Sequence, residues 1–135
     1  MTSRGTGHTG RCDCGGVRYR VSGDLRDVHN CHCHRCRRIT GHHMAATAAD
    51  PDQVEFIAQD TLRWYSPDPT VEYGFCGTCG SSLFWRAAAI PDKLCICAGT
   101  LDLPTGLRTV RAIWVAEAAD YHERPAIPET PYEGP

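Results

Sequence analysis

Three short stretches gather most of the chain's cysteines: CDCGG at 12–16, CHCHRC at 31–36 and FCGTCG at 75–80. In extended backbone, residues i and i+2 face the same side, so both sulfurs of a CxC pair reach one metal ion. A CxxC pair closes around a metal on a tight turn. Gly15 and Gly80 follow the first and third stretches and suit a turn needing positive φ, where backbone N–H groups aim at sulfur. Cys12, Cys14, Cys76 and Cys79 thus add up to a closed tetrahedral site of four thiolates, the usual arrangement of a structural zinc. Its binding energy adds directly to folding. The set Cys31, Cys33 and Cys36 differs in kind, because six residues supply three sulfurs and no fourth cysteine lies nearby. Three protein ligands with an open position describe a catalytic zinc, where water or a substrate thiolate takes the fourth place. The expectation is two zinc ions on seven of the nine cysteines.

Two other wirings stay open on spacing alone. His32, His34, His42 or His43 completes the second set as a purely structural Cys₃His site, or the cysteines pair as disulfides. Against disulfides stand the odd count of nine and the unusually tight ring that Cys12–Cys14 or Cys31–Cys33 would close. Residues 1–11 hold no apolar core of a secretory signal. No stretch approaches the roughly 18 apolar residues of a membrane span. The expected setting is therefore a reducing cytoplasm, with no membrane partner. Cys95 and Cys97, in the apolar run LCICA, read as small buried hydrophobes.

Formal net charge is −2 with histidines neutral, and thiolate ligation makes the holo protein more negative. The basic cluster Arg35, Arg37 and Arg38 is too small for a polyanion track, so nucleic acid is excluded as a general partner. Arg37 and Arg38 remain candidates to grip a carboxylate by forked hydrogen bonds.

Positioning these residues falls to short strands. Segments 17–21, 28–33, 44–49, 54–57, 62–65, 71–75, 82–86 and 93–98 alternate or run apolar between turn residues. Asp50-Pro51-Asp52 separates the third from the fourth, and Ser66-Pro67-Asp68-Pro69 joins a hairpin. Segment 82–86 pairs antiparallel with 93–98. Residues 36–40 form a helical turn ending at Gly41. Segment 110–116 is a last strand, with a helix left open by the alanines after it. Residues 1–10 read as a flexible tail, 11–135 as one domain, and the proline-rich end 124–135 as an extended strap or tail. The fold class is mainly β, in short antiparallel strands. Oligomeric state is not readable from these features.

At CDCGGVRY (12–19), CHCHRCRRITG (31–41) and FCGTCGSSLF (75–84) the sequence resembles the glutathione-dependent formaldehyde-activating enzyme family, which shares its domain with centromere protein V. AGTLD at 98–102 and PYEGP at 131–135 match as well. The resemblance implies a β-tent fold built around a structural zinc on Cys12, Cys14, Cys76 and Cys79, with a second zinc on Cys31, Cys33 and Cys36. It also implies a carbon–sulfur lyase that joins a thiol, glutathione or an analogue, to formaldehyde or a related small aldehyde. His32 and His34 are then candidates for proton transfer. The rival reading is a non-enzymatic zinc module for protein contacts, with both zincs structural. Two departures touch substrate choice: similar proteins often carry a histidine where this chain has Ala112, and segment 116–130 matches loosely.

Overall fold

The computed structural model describes residues 7–133. Alternation in VRYRV produces β2 (Arg18–Val21), whose Tyr19 and Val21 are fully buried while Arg18 and Arg20 face solvent. It pairs antiparallel with β1 (His8–Arg11) on one side and β5 (Val54–Ala58) on the other. A second sheet has seven strands: β3 (Val28–Cys31), β4 (Met44–Ala49), β6 (Leu62–Asp68), β7 (Val71–Cys76), β8 (Ser82–Ala87), β9 (Leu94–Cys97) and β10 (Thr109–Ile113). Their spatial order is β10-β3-β4-β9-β8-β7-β6. Every pair is antiparallel except β10 with β3, which run parallel. Among the described residues one α-helix, α1 (His34–Thr40), follows β3. The fold is mainly β, as the spacing of short apolar runs implies.

Two apolar clusters fill the interior. One packs Val17, Tyr19 and Val21 from the small sheet against Leu83, Phe84 and Ile96 from the large one. The Tyr19 and Phe84 rings meet edge to face at 5.3 Å, and the Tyr19 hydroxyl reaches Thr100 Oγ1 at 2.7 Å. Burying each such ring contributes about 2–3 kcal/mol. The other cluster is smaller: Cys36, Met44, Ala46 and Tyr73, with Ile39, Trp85, Cys95 and Cys97 against them. The first cluster also contains Cys12 and Cys76. Each cysteine group therefore grows out of its own piece of core.

Three local expectations change. Residues 1–6 lie outside the described residues, and the rest of the expected tail is structured, because His8–Arg11 is strand β1. Gly10 makes this fit, since a Cβ there would meet the Tyr19 ring at 2.3 Å. Asp102 anchors the same strand, donating its backbone N–H to Thr9 O and accepting from Thr9 Oγ1. The β6–β7 turn is shorter than expected, because the strand continues to Asp68, whose carboxylate takes the Thr70 N–H at 2.7 Å. After β10 the chain makes a 3₁₀ turn, Val115–Glu117, rather than continuing as strand.

Of strap and tail, the described part of the proline-rich end forms a strap, with residues 134 and 135 outside the described residues. Ala112 N–H donates to Pro128 O, Thr130 N–H returns to Ala112 O, and Trp114 N–H donates to Tyr132 O. Covering the outer edge of β10 in this way hides backbone groups that would otherwise pair with another chain. Ala112 is 1% exposed beneath it.

Candidate metal centres

The first centre is built by two knuckles. Between β1 and β2 the chain turns at Cys12–Gly15, with Gly15 N–H donating to Cys12 O. After β7 a matching turn has Gly80 N–H donating to Cys76 O. Gly15 and Gly80 hold φ of +79° and +82°, the left-handed backbone expected of them. The four sulfurs of Cys12, Cys14, Cys76 and Cys79 lie within 4.8 Å of one another. The Cys12–Cys14 and Cys14–Cys76 Sγ separations are both 3.7 Å, close to the edge of a tetrahedron with Zn–S bonds of about 2.3 Å. Backbone N–H groups point at the sulfurs: Val17 at Cys12 (3.2 Å), Gly16 at Cys14 (3.4 Å), Thr78 and Cys79 at Cys76 (3.4 Å each). Such donors stabilise thiolate. The Ser81 hydroxyl, 3.2 Å from Cys79 Sγ, leads the groups that hold the Cys79 thiol down to about 5. Donor type, count and spacing all fit a closed zinc site.

The second centre comes from one turn of chain. Strand β3 ends at Cys31, and Cys33 caps α1, its sulfur accepting the Cys36 N–H at 3.3 Å. Gly41 closes the helix, donating its N–H to Arg37 O. Cys31, Cys33 and Cys36 bring their sulfurs within 4.8 Å of one another. Hydrogen bonds from Cys31 and then Cys36, with backbone N–H groups behind them, hold the Cys33 thiol down to about 2, while the same contacts push Cys31 up. Beside them the Tyr73 hydroxyl lies 3.4 Å from Cys36 Sγ. Burial, and then Cys36, raises the Tyr73 phenol far above its ordinary range, so it stays protonated and donates to the sulfur. A pocket of ≈ 330 Å³ has Ile39, Met44, Tyr65, Tyr73, Ser82 and Phe84 among its lining residues, and none of the three cysteines. Three of these, Ile39, Met44 and Tyr73, belong to the apolar cluster around the cysteines.

None of the histidines weighed as a fourth ligand joins the three sulfurs. His34 Nδ1 sits 3.0 Å from Glu117 Oε1, and His42 Nδ1 2.7 Å from the Tyr121 hydroxyl. His32 and His43 gather instead with His122. Cys95 and Cys97 stay outside both cysteine groups, packed against the smaller apolar cluster, and burial pushes the Cys97 thiol up to about 12. On α1, Arg35 pairs with Asp68 at 3.3 Å. Arg37 and Arg38 have no side-chain partner among the described residues.

Sequence reasoning missed Tyr73, Glu117 and His122. Tyr73 was readable only as part of an alternating strand, and Glu117 and His122 lie in the loosely matching segment. Among the described residues no helix is long and apolar enough to cross a membrane.

Residues 7–117 match a family described as glutathione-dependent formaldehyde-activating enzyme. Among solved structures, a Rhodobacter sphaeroides protein is 26% identical, over 70% of this chain and 88% of its own, with a TM-score of 0.59.

Proposed function

This chain belongs to the glutathione-dependent formaldehyde-activating enzyme family, and from that membership we propose that it is a zinc-dependent carbon–sulfur lyase joining a thiol to a small aldehyde. Glutathione or an analogue is the thiol, and formaldehyde or a close relative the aldehyde. Cys12, Cys14, Cys76 and Cys79 hold a structural zinc, and Cys31, Cys33 and Cys36 hold the catalytic one. The observation that carries this reading is the three-sulfur group with no fourth protein ligand among the described residues. When bound there, zinc supplies Lewis acidity that makes a thiol acidic.

The residues around it divide the remaining work. Tyr73 donates to Cys36 and fixes that sulfur's orientation. Ile39, Met44 and Phe84 give the pocket an apolar wall that keeps water from the reacting carbon. Arg37 and Arg38, one turn along the same helix, offer guanidinium groups to a carboxylate of the thiol substrate. In the reaction the thiol S–H adds across the carbonyl: the C–S bond forms, and the proton ends on the former carbonyl oxygen. No oxidant is needed. Reduced thiols are the substrate, so the working compartment is a reducing cytoplasm, and the chain from β1 onward acts as one domain.

Exchange spectroscopy on glutathione and formaldehyde tests this. Faster hemithioacetal formation with the zinc-loaded protein, lost in Cys33→Ser while the fold is retained, is the expected result. Two bound zincs with no acceleration for glutathione or other small thiols would overturn the lyase reading and leave a non-enzymatic zinc module.

A further inference from the structure

A third cluster of ligand-type side chains lies outside both cysteine groups. His32, His43 and His122 each bring one ring nitrogen within 4.8 Å of the other two. Their rings lie 5.0 Å (His32–His43), 5.8 Å (His32–His122) and 6.1 Å (His43–His122) apart. Four ring nitrogens in the cluster are buried and have no hydrogen-bond partner: His32 Nε2, His43 Nδ1, and both nitrogens of His122.

Such atoms are costly. Each buried, unsatisfied nitrogen destabilises the fold, and a fold seldom gathers several at one point without something to take their lone pairs. Protonation does not resolve it, because three imidazolium ions would repel one another, and Glu129, the carboxylate that acts on His32, is already paired with Arg124 at 2.7 Å. The two groups stay separate: Cys31 and Cys33 gather with Cys36, while His32, between them in sequence, gathers with His43 and His122.

We propose that His32, His43 and His122 form a third metal site, for a borderline divalent cation of the Zn²⁺, Co²⁺ or Ni²⁺ class. Imidazole nitrogen suits these ions. Three neutral ligands leave the ion its full double positive charge and one open position, which water or an anion fills. His42 and Tyr121 stand beside the site, with His42 rings 4.3 Å from His43 and 4.4 Å from His122. His122 lies beyond the matched residues 7–117, on the segment that leads into the strap. A metal here fastens that segment to the end of β3 and the start of β4.

Zinc per chain after equilibrium dialysis against Zn²⁺ measures the site directly. Wild type is expected to hold one more zinc than His122→Ala and one more than His43→Ala, with circular dichroism unchanged. The difference is the readout, so it stands whether or not the cysteine groups prove catalytic. Cadmium-113 NMR of the Cd²⁺-loaded protein is expected to show one resonance in the nitrogen-ligand region, absent from both variants, beside signals from thiolate sites. Equal zinc in wild type and both variants, or a spectrum holding thiolate signals alone, overturns the third site.

Discussion

The two cysteine groups use the same atom and differ in how much chain lies between the ligands. Cys14 and Cys76 approach to 3.7 Å across 62 residues of sequence. Two members of this group, Cys12 and Cys76, sit in the main apolar cluster with Tyr19 and Phe84. Cys31, Cys33 and Cys36, by contrast, come from one strand end and the first turn of α1. Closing a long loop removes more freedom from the unfolded chain than closing a short one. With a metal bound, sulfurs drawn from distant knuckles would fasten the fold, while sulfurs drawn from one turn would constrain little chain.

The largest effect that could break this contrast is Cys76→Ser. It opens the tetrahedral group and leaves the buried Cys12 thiol in the core without its partner, so it is expected to cost about 4 kcal/mol or more. Urea denaturation measures the loss, and a stability near wild type would remove the distinction between the groups. Cys33→Ser is expected to do the reverse. Serine is a good helix N-cap, so α1 persists and stability changes by less than about 1 kcal/mol. Thiol–aldehyde exchange should nonetheless fall at least about 100-fold, as loss of a ligand outweighs loss of its supports.

Tyr73→Phe sharpens the picture with a smaller change. Without the phenol, Cys36 loses a hydrogen bond worth about 1 kcal/mol, and kcat is expected to drop about 3- to 10-fold while zinc content stays constant. The smallest effect is at the surface of the other half. Arg86 lies 3.7 Å over the Trp64 ring and holds Glu72 at 2.7 Å. That hydrogen bond first, and then the guanidinium charge, keep the Glu72 carboxyl below its usual range. A depressed carboxyl contributes stability above its ordinary pKa and loses it as pH falls through the lowered value. Wild type should therefore exceed Glu72→Gln in urea midpoint at neutral pH, and the gap should close on acidification. A gap that widened in acid would reverse the sign.

Much of this was legible from the sequence because the relevant patterns are local. CxC and CxxC announce shared ligands, Gly15 and Gly80 announce their turns, and VRYRV announces a half-buried strand. What could not be read depends on distant partners. HTGR at 8–11 is short and polar, and its order comes from Tyr19 and Asp102, which no nearby residue foretells. The parallel pairing of β10 with β3 reflects where the chain returns after residue 98, not any property of TVRAI. His122 sits in a stretch without ligand spacing, so its meeting with His32 and His43 emerges only in three dimensions. The pair His42-His43 was visible as ligand-type chemistry, and the fold reassigns its second member from sulfur to nitrogen company.

The sequence Cys31-His32-Cys33 makes donor identity a question of alignment. Strand β3 is clamped on both flanks, with Cys31 opposite Met44 of β4 and Ile113 of β10. A one-residue slip would swap the faces, delivering an imidazole to the sulfurs and thiols to the imidazoles. Insertions or deletions in 28–31 should therefore be tolerated far worse than substitutions there, because a single frame of hydrogen bonds keeps soft and borderline ligands apart.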